Sequence, residues 1–205
     1  MFRYLYRLPL HPVDSLTRLK EKRDEAWTAP ALLAMLLLLL SSIIEFQYTD
    51  FAFNMNRVDQ LNLWLMLFKT VGLLLLWVLS NWAFCTLFDG EGTLKQIFCL
   101  SCFALLPYAA ALLLKTGLSI FLTDEEGVFL TWLLLFGEVY SGVLMLAGLH
   151  IVHGFTMGKT ILTVIFTLLG MLIVLFIMTL LFSLLQQFLS FFMTIFSELS
   201  LMIVG

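Results

Sequence analysis

The chain has 205 residues, 61% of them hydrophobic and 12% charged, with a formal net charge of −3. Water-soluble domains carry about a quarter charged residues, so there is too little polar surface here to cover a water-facing globule. No basic, aromatic-rich face for nucleic acid is present, and Cys85, Cys99 and Cys102 lie in apolar runs rather than in a disulfide framework.

These numbers leave an all-α polytopic integral membrane protein. Its apolar runs approach or exceed the roughly 20 residues that cross about 30 Å of hydrocarbon. They are far longer than the roughly 10-residue alternating segments of an outer-membrane barrel. We expect five transmembrane helices in one bundle over residues 29–185, preceded by an interfacial segment, 1–28, and followed by a tail, 186–205.

In the first segment, "HPVDSLTRLKEKRDEAW" (His11 to Trp27) sets Val13, Leu16, Leu19 and Trp27 against Arg18, Lys20, Lys22 and Arg23. That pattern predicts a helix lying in the membrane interface, with Pro12 at a favourable first position. No small-x-small cleavage site follows the first apolar run, so removal of the segment as a signal peptide is not expected. The five spans are expected at about Ala29–Ile44, Leu61–Leu87, Gln96–Leu122, Val128–Val152 and Thr160–Leu185. Beyond them Phe188, Phe192, Ile195, Leu199 and Met202 recur at helical spacing among Ser190, Thr194, Ser197 and Glu198. The tail is read as an amphipathic helix on the membrane or on a partner, a short sixth span being the alternative.

Lysine and arginine set the orientation. The N-terminal segment holds six of the eleven, and Lys95 and Lys159 mark two more loops on the same side. The opposite loops, "EFQYTDFAFNMNRVDQ" and "TDEEG", are acidic. The N-terminus is therefore expected in the cytoplasm and the C-terminus outside.

The turn "DGEGTLK" (Asp89 to Lys95) lacks the spacing of a phosphate loop, and its acids would repel phosphate. It reads as a tight turn between spans, with Thr93 as a helix cap. Cys99 and Cys102 share one helical face without the further ligands of a zinc site or the helix N-terminus of a redox pair. They read as packing residues. His150 and His153, also three apart, could share a metal or sense pH, but a helix C-terminus favours histidine by itself. No nucleophile–base set appears, so neither an enzyme nor a bound metal or cofactor is expected.

Three charges stand inside the spans: Lys69, Lys115 and Glu138. Each costs about 2.5–3.5 kcal/mol at the membrane centre unless it faces the bundle and pairs. At about 1.5 Å per residue they lie about 12, 10 and 15 Å from the outer span ends, so one cluster is geometrically accessible. It reads either as a structural ion pair or as a site for a polar or anionic ligand in a small transporter or lipid-handling protein. Pro107, inside the third span, is expected to kink that helix and free a carbonyl.

The stretch "LFDGEGTLKQIFCLSCFALLPYAAALLL" (Leu87 to Leu114) resembles the core of the Yip1-domain family. Gly90, Gly92, Thr93, Leu94 and Lys95 match its glycine turn. Ala104, Leu105, Leu106 and Pro107 match its proline-centred element, with Phe103 in place of a tyrosine. The His11–Lys22 segment and "GLHIVHGFTMGKT" (Gly148 to Thr160) look like bacterial members, so the resemblance spans about residues 11–180. It implies five spans, a cytoplasmic N-terminus and no catalytic residues. Eukaryotic members are Golgi and endoplasmic-reticulum proteins that bind Rab GTPases in vesicle traffic; this chain lacks their long polar N-terminal region and "DLYGP" segment. Bacterial members often accompany carbohydrate ABC-importer genes. The expectation is a non-enzymatic accessory or scaffold subunit of the bacterial inner membrane, docked on an importer permease subunit or on itself. The alternatives are the ligand-handling reading of the charges and membrane shaping or traffic, with a Golgi or reticulum location.

Overall fold

A computed structural model describes residues 17, 20, 27–54 and 61–204. The interfacial segment lies outside these apart from Thr17 and Lys20, both helical, and Trp27 and Thr28 at its end, as does the middle of the first long loop. Among the described residues the chain is all helix, turn and loop, with five helices long and apolar enough to cross a membrane. We number them α1 (Thr28–Tyr48), α2 (Leu63–Leu87), α3 (Leu94–Ser119), α4 (Gly127–His153) and α5 (Met157–Val204).

Several helix ends follow from local chemistry. Pro30 sits in the first turn of α1, where its missing N–H costs nothing. Asn62 caps α2 by accepting from the Leu65 N–H at 3.1 Å. Thr93 caps α3 in a capping box with Gln96, as the sequence predicts. Gly154 ends α4 in the left-handed conformation, φ 67°.

The most buried of the five is α3, which packs against α1, α2 and α4. Its face of Ile97, Leu100 and Phe103 meets Ala31 and Ala34 of α1, Leu74 and Val78 of α2, and Leu149 and Val152 of α4. Trp27 lies edge-on to Phe103, ring centres 6.5 Å apart. In lipid the hydrophobic effect does not drive helices together, so close approach and hydrogen bonds must. On α4 the buried stripe Gly137, Ser141, Leu144 and Gly148 does this: a methyl group at Gly137 would overlap Ala111, and one at Gly148 would overlap Leu100.

Two helices depart from regular form. In α2, Phe68–Gly72 is a π-helical turn. In α3 the α-helix breaks at Leu105, just before Pro107. The Tyr108 N–H, turned out of its own ladder there, donates to Ser141 Oγ of α4 at 3.1 Å.

The fifth helix differs most from its expected span. It runs unbroken through Gln186 and Gln187 for 48 residues, about 72 Å at 1.5 Å per residue. Its first half docks on α2 through buried Thr160, Thr163 and Thr167. Asn81 donates to Thr167 Oγ1 at 3.2 Å, and Phe166 stacks on Phe84 and Phe88. From Phe176 to Ile195 every residue is exposed.

Candidate functional site

Between α2 and α4, which both pack on α3 but scarcely touch one another, lies a cavity of about 660 Å³. Its walls are helical stripes. From α2 come Met66, Lys69, Thr70, Leu73, Leu74 and Trp77, and from α4 Glu138, Ser141, Gly142 and Met145. Those spacings of three and four are one face of each helix. Leu38, Ser42, Glu45 and Phe46 of α1, with Leu105, Tyr108 and Leu112 of α3, make the floor. The two irregular turns both serve this space. The π-turn carries Lys69 and Thr70 into the wall, a usage common at functional sites. The break at Leu105 places Leu105 and Tyr108 in the floor.

The charges divide into a closed pair and an open pair. Lys115 of α3 binds Glu45 of α1 at 2.5 Å, with both side chains less than a fifth exposed. Glu45 in turn lines the cavity. Lys69 and Glu138 also line it and are exposed. Among the described residues neither of them has a hydrogen-bond or ion-pair partner.

So the structure brings Lys69 and Glu138 to one cavity and gives Lys115 to a residue that the sequence reading left in a loop. Glu45 follows the first long apolar run, so composition alone ends the helix at Ile44. The signal that reaches it is periodic: Ala31, Ala34, Leu38 and Ser41 are the buried face of α1, and Glu45 is the next position of that face.

The end of the bundle that carries Lys20 and Lys159 holds a second polar constellation. The turn at Asp89–Thr93 is clasped by the end of α4, where Gly92 N–H donates to His153 Nδ1 at 3.3 Å and Glu91 N–H to the His153 carbonyl at 3.5 Å. Lys159 donates to the Phe88 carbonyl at 2.6 Å and sits 4.4 Å from the Phe155 ring centre. Lys20 pairs with Glu91 at 2.9 Å. His153 is thus an acceptor in a packed turn, stacked on Phe155, while Cys85, Cys99 and Cys102 are buried free thiols in the helix interfaces. Among the described residues no three His, Cys, Asp or Glu are grouped to hold a metal ion.

The cavity is bounded by four membrane-length helices and lined by charged, hydroxyl and apolar side chains together. No curated protein and no solved structure matches the chain. A family model for the Yip1 domain matches residues 6–179, covering all four cavity-forming helices, the clasped glycine turn and the buried half of α5. The match ends where α5 loses its contacts, and over that length the chain belongs to the Yip1-domain family.

Proposed function

We propose that this Yip1-family membrane protein is a non-enzymatic accessory or scaffold subunit that docks on other membrane machinery through the far half of α5. One observation carries the reading: α5 is about 72 Å long by its residue count, against about 30 Å of hydrocarbon. Past Gln187 it presents Phe188, Leu189, Phe191, Phe192 and Met193, all exposed. These side chains form a broad apolar face opposite the stripe of Gln186, Gln187, Ser190 and Thr194, and a face of that width is not left to water, so this half must be covered. An intramembrane or interfacial protein partner covers it without bending the helix. The family resemblance makes the permease subunit of a carbohydrate ABC importer in a bacterial inner membrane the partner of choice.

Photo-crosslinking tests this. A benzophenone amino acid at Phe191 or Met193, activated in native membranes, is expected to yield an adduct with a permease subunit recovered in mild detergent. A chain ending at Leu185 is expected to lose that partner while the bundle stays folded, because residues 181–195 bury nothing. Adducts with lipid alone would sink the docking reading, and adducts with a second copy would replace the importer by self-assembly.

A further inference from the structure

The cavity points to a function that docking through α5 does not use. We infer that it is a lateral binding site for a zwitterionic phospholipid headgroup carrying an amine and a phosphate, with the acyl chains leaving between α2 and α4.

The charges choose the headgroup. Glu45 is already neutralised by Lys115, which leaves one cation, Lys69, and one anion, Glu138, in the walls of the same space with no partner among the described residues. A lone anion at Lys69 would share the cavity with the Glu138 carboxylate, and a lone cation at Glu138 would share it with the ammonium. A ligand bearing both charges satisfies both walls and relieves two groups that are expensive within a bilayer when unpaired. The phosphate goes to Lys69 and the ammonium to Glu138, each as a charge-assisted hydrogen bond. Thr70, Ser42 and Tyr108 add neutral hydrogen-bonding groups around them.

The walls choose a lipid over a soluble zwitterion. Leu38, Leu73, Leu74, Trp77, Leu112 and Met145 make most of the remaining surface, which matches glycerol and the start of acyl chains. Lys69 and Glu138 are exposed although they line the cavity, so the space opens sideways where α2 and α4 stand apart, toward the hydrocarbon. The volume of about 660 Å³ lies within the range that buries a small ligand. It holds a headgroup while the chains remain in the membrane.

The test is native mass spectrometry of the full chain in detergent, with phosphatidylethanolamine, phosphatidylglycerol and soluble phosphoethanolamine as separate probes. We expect phosphatidylethanolamine to be retained about tenfold over phosphatidylglycerol, the difference of one charge-assisted contact. Glu138→Gln should bring it down to the phosphatidylglycerol level, and Lys69→Gln should weaken both lipids. A third variant works without touching a charge. An added Cβ at Gly142 meets nothing within 4 Å, so Gly142→Leu fills the cavity without a backbone clash and should abolish both adducts with thermal unfolding unchanged. Equal retention of the two lipids by the unaltered protein would overturn the inference, as would adducts that survive Gly142→Leu. Phosphoethanolamine that displaces the lipid at equal concentration would overturn it in favour of a soluble zwitterion.

Discussion

Glu45 and Lys115 show how a membrane interior sorts its charged side chains. Each alone would carry the full cost of a charge away from water, yet at 2.5 Å, on α1 and α3, they neutralise one another and tie the two helices together. Removing one partner leaves the other unpaired, so Lys115→Met and Glu45→Gln should each destabilise the bundle by about 3 kcal/mol. The double variant should cost less than either single change, because no unpaired charge remains. Reversible unfolding of the four proteins in bicelles measures the coupling; costs that simply add would show that the pair carries none. The sequence marks Lys69, Lys115 and Glu138 as the charges needing an explanation, since each interrupts an apolar run. It does not mark which of them are paired. That depends on how far α1 continues past Ile44 and on which face of α3 meets it, and both are settled by tertiary packing rather than by composition.

At the scale of the element, the proline and the glycines of α3 and its preceding turn have different readings from the ones their residue types invite. Pro107 interrupts α3, and the group left outside the ladder is met from a neighbour: the Tyr108 N–H donates to Ser141 Oγ. Ser141→Ala should therefore cost about 1–3 kcal/mol by stranding a donor with no water to take it, whereas Ser141→Thr, which keeps the hydroxyl, should retain much of that stability. Equal losses in both, by the same unfolding measurement, would assign Ser141 a packing role only. In the Asp89–Thr93 turn the left-handed residue is Asp89, φ 58°, not a glycine. Gly90 and Gly92 are needed for another reason: an added Cβ would stand 2.7 Å from His153 Nδ1 at either position. The turn, its Thr93 cap and the packing role of the cysteines are legible from residue type and spacing. The clasp by His153, 61 residues away, is not, because nothing local in the sequence records which loop a histidine will face. The π-turn at Phe68–Gly72 is likewise invisible to a 3.6-residue pattern, which it breaks by a single residue.

Across the whole molecule, charge separates the two ends of the bundle as the sequence pattern does. Lys20, Lys159 and the Glu91 turn lie together at one end. At the other, Asp50 N–H donates to Ser119 Oγ, and Thr49 and Thr116 hydroxyls approach to 3.4 Å near the acidic loop that leads into α4. Positive residues resist translocation, so the lysine-bearing end is predicted to face the cytoplasm. The chain is well suited to a direct test, because its own cysteines are buried and free, out of reach of a polar reagent. Single cysteines introduced at exposed Glu91 and Glu125 then report one end each. In intact cells with a permeabilised outer envelope, a membrane-impermeant maleimide should label Glu125→Cys and spare Glu91→Cys until the inner membrane is opened. Labelling in the opposite order would invert the orientation. It would also place the far half of α5 on the cytoplasmic side, since α5 starts at the lysine-bearing end and, on a straight path, its length carries Phe188 to Ile195 beyond the other surface. The same experiment therefore decides on which side of the membrane the proposed partner of α5 is to be sought.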